Sequence, residues 1–411
     1  MDERFPLTDV PRSVQEIADR LIEAGHEAWF VGGAVRDALI RAQLGRDVRQ
    51  GDFDIATSAR PEAVVALFRR TVPVGIEHGT VAVVDDDNRA HEVTTFRRDV
   101  RTDGRHAEVE FGVSLDDDLA RRDFTINAIA VHPRSGEIRD PFKGRGDLDA
   151  GLIRAVGDPV ARFREDRLRV LRGLRFSAVY GFTIEPRTLE ALRAATTELE
   201  HLSRERVRDE WVKMLSRSVP STAIRLWRDA GALASVWPEL AGLNDASIDA
   251  LDEVEPRDPI LVTAIALSGT EAGSQGAFRI AVRMKLSVAE RNRMSDVIFA
   301  ASRPAPDPED ARTVRHWLEQ NRGDPGDVVA GAPVGAAQRV RLRKAVDAVL
   351  ASGAPLSVKQ LAVDGNDLQQ AGFPSGPRIG QILRALLLAV LDDPALNTRD
   401  SLLALAGKIP A

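Results

Sequence analysis

The stretch Val31-Gly-Gly-Ala-Val-Arg-Asp37, with Asp52-Phe-Asp54 a short way downstream, decides how this chain is read. A β-prone run over residues 28–31 stops at Gly32-Gly33, and residues 34–43 resume with a helical pattern. Glycine at a strand-to-helix junction lets backbone N–H groups approach a phosphate, and the helix N-terminus adds the positive end of its dipole. Arg36 falls on the first helical turn, where it either clamps the same anion or is a surface arginine beside a tight turn. Asp52-Phe-Asp54 opens a second strand, expected over residues 53–56, so that Asp52 and Asp54 share one face and Phe53 takes the other. Two neighbouring carboxylates repel, and they call for a cation or a proton. Where phosphates are handled, a pair of Mg²⁺ ions is the usual solution. An Asp-x-Asp alone occurs in many loops; joined to a glycine cradle it points to metal-assisted phosphoryl chemistry. No GxxxxGK[ST] is present, so the cradle is not a Walker loop.

Working outward, helix and strand signals alternate over the first ~135 residues. A helix is expected over residues 14–24, and another from Pro61 through residues 62–70. Strands are expected over 80–84 and 92–96, with a weaker candidate at 109–113. Glu92 lies on one of these strands. It is either an exposed strand residue or a third acid beside Asp52 and Asp54, serving as general base or further metal support. From about residue 145 the pattern turns helical. Asp158-Pro159 signals the start of a long helix through Ala178, and further helices are expected over 186–195, 204–215 and 221–230. Residues 302–308, 323–335 and 352–355 read as loops or linkers. The fold class is α+β: an N-terminal domain with a small mixed sheet, followed by an all-helical remainder.

Composition narrows the classes. The chain has 411 residues, no cysteine and a net charge of −6. Two to four domains are expected at ~100–200 residues each. Disulfides, thiolate zinc sites, iron–sulfur clusters and cysteine nucleophiles are excluded. The acidic sign argues against a surface uniformly coated for nucleic acid, while leaving room for a local basic groove. Only six of the 56 basic residues are lysine. The arginine bias is either codon usage or a need for planar, bidentate recognition of phosphates and base edges. No apolar leader opens the sequence, and an uncharged run such as 259–270 falls short of the ~18 residues of a membrane span. The expectation is a cytoplasmic protein with no membrane partner.

Four motifs, Gly32-Gly-Ala-Val-Arg-Asp37, Asp52-Phe-Asp54, Arg121-Arg-Asp-Phe-Thr-Ile-Asn-Ala128 and Glu165-Asp-Arg-Leu-Arg169, resemble in order and spacing the class II tRNA nucleotidyltransferases. That family comprises the CCA-adding enzymes and bacterial poly(A) polymerases of the polymerase-β-like superfamily. The matching stretch covers roughly residues 25–215, and Gly365-Asn-Asp-Leu368 with the segment 372–380 looks like the tail of bacterial CCA-adding enzymes. The resemblance implies a nucleotidyltransferase head over 1–140, a neck for nucleotide recognition over 141–217, a body over 218–305 and a tRNA-binding tail over 306–411. It implies Mg²⁺ on Asp52 and Asp54, with Glu92 as the third catalytic carboxylate. It implies nucleotide contacts from Gly33, Arg36, Arg122, Asp166, Arg169, Arg172 and Arg175. CTP and ATP would be substrates and tRNA the partner.

The Glu165–Arg169 motif also has a direct physical reading. Asp166, Arg169, Arg172 and Arg175 recur at every third position on an expected helix, so they share a face. Cytosine and adenine each offer an amino donor beside a bare ring acceptor; uracil and guanine invert this. An aspartate acceptor beside an arginine donor fits C and A and opposes U and G, at ~1–3 kcal/mol per mismatched group. Read from the residues alone, without the resemblance, the same stripe is more readily a solvated, salt-bridged helix face opposite Phe163, Leu168, Leu171 and Leu174.

Within the family, the region 67–76 lacks the basic-aromatic signature of the poly(A) polymerase branch. Residues 97–112 have the length and character of the flexible loop of full CCA-adding enzymes. Complete CCA addition is therefore expected ahead of A-only addition, CC-only addition or poly(A) synthesis. None of the seven histidines is followed by aspartate, so the family's additional HD phosphohydrolase domain is not expected.

Overall fold

The structure is a computed structural model that describes residues 4–102, 107–255, 257–321 and 323–409. The chain divides into two compact units, residues 1–236 and 237–411.

The first unit opens with α1 (Arg12–Glu23), β1 (Ala28–Val31), α2 (Gly33–Leu44), β2 (Asp54–Thr57), α3 (Pro61–Leu67), β3 (Thr71–Gly75), β4 (Thr80–Val84) and β5 (Ala90–Thr95). A hairpin of β6 (Arg97–Thr102) and β7 (Ala107–Phe111) follows, then α4 (Leu115–Ala120), β8 (Ala130–Val131) and β9 (Ile138–Arg139). Seven strands form one mixed sheet in the order β3-β4-β5-β2-β1-β8-β9, in which only β2 and β5 run parallel. Phe53 and Phe30 meet edge-on at 5.6 Å, both almost fully buried, and Ile55 continues the same core. Burying Phe53 turns Asp54 to the opposite face, as the alternation predicts.

The sheet is larger than expected. The helix from Pro61 stops at Leu67, short of the expected residue 70, and residues 71–75, for which no element was expected, form edge strand β3. Its Val72 and Val74 are half exposed, so no alternating burial marked it. The segment expected as a flexible loop, 97–112, forms the antiparallel β6–β7 pair; residues 103–106 lie outside the described residues.

The unit continues with α5 (Gly144–Asp149), β10 (Leu152–Ile153), α6 (Pro159–Glu165), α7 (Leu168–Tyr180), β11 (Thr183–Ile184), α8 (Pro186–Ala195), α9 (Arg204–Leu215), α10 (Pro220–Asp229) and α11 (Ala232–Val236). The expected long helix through Ala178 is in fact two. Asp166 adopts an extended conformation (φ −148°, ψ 107°), and its Oδ1 accepts the Leu168 N–H at 3.0 Å. The side chain thus competes with the helical backbone, satisfies an orphan donor of α7 and breaks the helix. Asp166 is therefore not on the helical stripe of Arg169, Arg172 and Arg175; it stands at the joint in front of it.

The second unit is helical: α12 (Asp245–Ala250), α13 (Pro259–Ser268), α14 (Gly273–Arg283), α15 (Val288–Ala301), α16 (Ala311–Gln320), α17 (Pro325–Gly331), α18 (Ala336–Ala351), α19 (Gly365–Gln370), α20 (Pro377–Asp392) and α21 (Arg399–Ala406). One core gathers Val314, Trp317, Leu342 and Val346; another gathers Leu368, Ile382, Leu386 and Leu402. Residues 323–335, expected as a loop, contain α17, which Asp324 caps by accepting the N–H groups of Gly326 and Asp327. No described helix is long and apolar enough to cross a membrane.

Candidate active site

The register of the sheet brings the acids together. Ile55 pairs with Val93 in the parallel β2–β5 ladder, so Asp54 falls beside Glu92 on the face away from the core. Val31 pairs with Asp54, which sets Gly32 against the Asp54 carboxylate. A Cβ on Gly32 would stand 2.9 Å from Asp54 Oδ2, and its φ of +79° is open to glycine alone in practice. Asp52, just before the strand, is exposed at the rim. Burial, then the charge of Glu92, pushes Asp54 up to about 6; Arg122 opposes this and Asp52 adds to it. The acids are thus held together with too little positive charge among them. The fit to a hard divalent cation rests on that imbalance and on an all-oxygen donor set. Among the described residues no three acids or histidines close into a nest by themselves. Mg²⁺ typically takes only one or two carboxylates and completes its shell with water and substrate phosphates.

Asp54 and Glu92 line one wall of a cavity of about 600 Å³, within the usual range for a small-molecule site. Gly32, Gly33 and Arg36 line it too, as do Arg121, Arg122 and Asp123 of the Arg121–Ala128 motif and Asp166, Arg169, Arg172 and Arg175 of the neck. Every expected site residue except Asp52 borders this one space, and Asp52 is near enough for its charge to act on Asp54.

The arginines are fixed rather than waving in solvent. Arg36 is buried; its Nε and one terminal nitrogen donate to Asp37 Oδ1 at 2.9 and 2.7 Å, and the other donates to Asn127 Oδ1 at 2.6 Å. This excludes the surface-arginine alternative. Two of its five donors are left for a ligand. Arg122 donates to Asp118 Oδ2 at 3.2 Å, and Arg121 to Asp118 Oδ1 at 2.9 Å. Burial would raise Asp118, but these two guanidiniums hold it below the usual carboxylate range. Burial would likewise raise Asp123, yet Arg172 at 2.6 Å, with Asn127 and the Phe124 N–H, brings it down to about 2. Arg175 donates to buried Glu210 at 2.5 Å. Arg36, Arg172 and Arg175 all lie 4.1–5.3 Å from the centroid of the Phe176 ring. Arg169 donates to Glu165 Oε2 and to the Arg121 carbonyl, both at 2.8 Å. The stripe on α7 is accordingly no solvated face: each of its arginines is paired with a carboxylate and stands at the cavity.

Comparison with known proteins agrees with this geometry. A family model described as "Poly A polymerase head domain" matches residues 28–154, and one described as "Probable RNA and SrmB- binding site of polymerase A" matches residues 181–243. The CCA-adding enzyme of Streptococcus gordonii is 34% identical over 417 residues, covering 97% of this chain and 98% of its own. The chain belongs to the CCA-adding enzyme family. Another member, from Anoxybacillus flavithermus, is 42% identical over 263 residues, which span 62% of this chain and 63% of that one. The crystal structure of the Bacillus stearothermophilus CCA-adding enzyme in complex with CTP superposes with a TM-score of 0.79 at 33% identity, covering 97% of this chain and 96% of that one. CCA-adding enzymes are tRNA nucleotidyltransferases, a class that generally depends on metal ions.

Several residues of the site were not singled out in the sequence. Asp37, Asp118, Asp123 and Asn127 position the arginines, Tyr180 positions Asp37, and Arg206, Lys213 and Arg217 extend the basic wall along and just beyond α9. Asp37, Asp123 and Asn127 lie inside quoted motifs. The α9 residues had only their spacing on one helical face as a signal.

Proposed function

We infer that this protein adds C, C and A in turn to the 3′ end of tRNA, taking CTP and ATP and releasing pyrophosphate, with no nucleic-acid template. The observation that carries this reading is the single cavity bordered by Asp54 and Glu92 on one side and by Asp166 and the α7 arginines on the other. One wall suits a metal-bound triphosphate, and the other suits the Watson–Crick edge of a base. The division into head (1–140), neck (141–217), body (218–305) and tail (306–411) is part of the same reading, with tRNA held by body and tail in the cytoplasm.

In this mechanism Asp52 and Asp54 hold Mg²⁺, which when bound neutralises the triphosphate and favours the ionised primer hydroxyl. Gly33 lets the backbone approach the triphosphate, while Arg36 and Arg122 offer their remaining donors to its oxygens. Asp166 accepts from the amino group of C or A, and Arg169 donates to the adjacent ring nitrogen. Arg172 and Arg175 secure the nucleotide from behind. The tRNA 3′-oxygen forms its bond to the α-phosphorus as the bond to the bridging oxygen of pyrophosphate breaks, and Glu92 takes the hydroxyl proton. The protein groups thereby do the work of a template.

The test uses tRNA transcripts ending before CCA, after CC, or at an unrelated 3′ sequence, each with CTP, ATP or both. On the transcript ending before CCA, products that end in CCA only when both nucleotides are supplied, together with one A added to the CC transcript from ATP alone, support the reading. Addition stopping at CC, addition of A only to the CC transcript, or untemplated A-tracts would each replace it with a partial enzyme or a poly(A) polymerase.

A further inference from the structure

Arg206 stands in the first turn of α9, where its own N–H is capped by the Ser203 hydroxyl at 3.4 Å. A cation there opposes the helix dipole, so the position is unfavourable unless an anion answers it. The answering anion is Asp166, 40 residues away in sequence: Arg206 donates to Asp166 Oδ2 at 2.7 Å. Both side chains are only partly exposed, and both border the cavity of Asp54 and Glu92. Asp166 is therefore held from two sides, its Oδ1 by the Leu168 N–H and its Oδ2 by Arg206.

We propose that Arg206 is a specificity-determining positioning residue, which fixes the Asp166 carboxylate so that one remaining acceptor site of Oδ2 meets the exocyclic amino group of cytosine or adenine. This rests on the base-reading role given to Asp166 above. A carboxylate oxygen has two acceptor sites, so the bond from Arg206 leaves one for the base. An ion-paired carboxylate accepts hydrogen bonds and donates none, so it opposes the carbonyl oxygen that uracil or guanine presents at the same place. Without Arg206, only the Leu168 N–H still holds the Asp166 carboxylate, whose Oδ2 can then swing away from that line, and the carbonyl bases meet less opposition. Arg206 itself touches the carboxylate and not the base, and so acts through Asp166.

The experiment compares the full-length wild type with Arg206→Gln, Arg206→Lys and Asp166→Ala. It measures kcat/KM for CTP against UTP on a transcript lacking CCA, and for ATP against GTP on one ending in CC, alongside thermal unfolding. Arg206→Gln is expected to lower both discrimination ratios by about tenfold or more, and Arg206→Lys, which keeps the charge, to restore part of the loss. Equal loss of kcat/KM for right and wrong nucleotides, with the ratios unchanged, would overturn the proposal and leave Arg206 a structural or phosphate-binding cation. Should Arg206→Gln fail to fold, Arg206→Lys decides: a reduced ratio supports the proposal and a wild-type ratio refutes it. Asp166→Ala separates the two levels. If it leaves the ratios unchanged, the base-reading role of Asp166 itself fails; if it collapses them while the Arg206 variants do not, only the role of Arg206 fails.

Discussion

The hydroxyl of Tyr180 donates to Asp37 Oδ1 at 2.8 Å, joining the last residue of α7 to the first turns of α2. The same oxygen receives two donors of Arg36. Burial pushes the Tyr180 phenol up to about 12, with Arg36 opposing and Asp37 reinforcing, so it remains a donor throughout the neutral range. Tyr180→Phe should cost ~0.5–1.5 kcal/mol, the usual worth of one hydrogen bond. Asp37→Ala should cost more, about 3–5 kcal/mol, because it strands the buried Arg36 cation. Urea midpoints of the full chain rank the two; equal losses would contradict the assignment of Asp37 as the hub.

Asp52→Ala should abolish nucleotide incorporation, by at least about a thousandfold, which corresponds to the ~4 kcal/mol a metal contributes to charge stabilisation. Binding of tRNA should persist, since Asp52 lies at the exposed rim and supports no core contact. Gel-shift and incorporation assays on one preparation check both halves. Robust activity in the variant would remove Asp52 from the metal site.

Asp54 carries a pH prediction with a definite sign. Its folded value, about 6 before any cation binds, is above the ordinary carboxylate range, so the folded protein holds that proton tightly. Ionising Asp54 therefore weakens the cation-free fold as pH rises from about 4 through about 6. A ligating carboxylate must be deprotonated, so cation binding displaces the proton. Mn²⁺ or Mg²⁺ affinity should fall about tenfold per pH unit below about 6 and level off above about 7. Calorimetry in buffers of different ionisation enthalpy should record proton release that fades over the same interval. Asp54→Asn should flatten the profile; an affinity independent of pH in the wild type would contradict it.

Gly32→Ala tests the cradle without touching a charge. The added Cβ would meet Asp54 Oδ2 at 2.9 Å, and the positive φ adds about 1–3 kcal/mol of backbone strain. Incorporation should fall far more than thermal stability, because the displaced carboxylate is one of the two proposed to hold the metal ion. A variant with full activity would show that Asp54 has room to move.

Much of the site was written in the sequence, because its key groups sit in short motifs whose local geometry follows from residue type. Two glycines after a β run and an alternating Asp-Phe-Asp placed Gly33, Arg36, Asp52 and Asp54 before any tertiary contact was known. β1 and β4 have the expected bounds, as do α8 and α9. Strand β3 was not legible, because an edge strand with half-exposed valines lacks the alternation that burial imposes.

What the sequence alone determined was the chemistry on offer: a pair of carboxylates where one strand begins, arginines three apart on one helix, and the family motifs that contain them. What only the tertiary structure decided was who faces whom. The β2–β5 register put Glu92 beside Asp54, the break at Asp166 lifted that residue out of the helix, and α9 delivered Arg206 to it across 40 residues of chain. Pairing register and helix docking are set by which apolar faces are buried together. No local pattern encodes that choice, so the partners of the polar groups riding on those faces emerge only when the core closes.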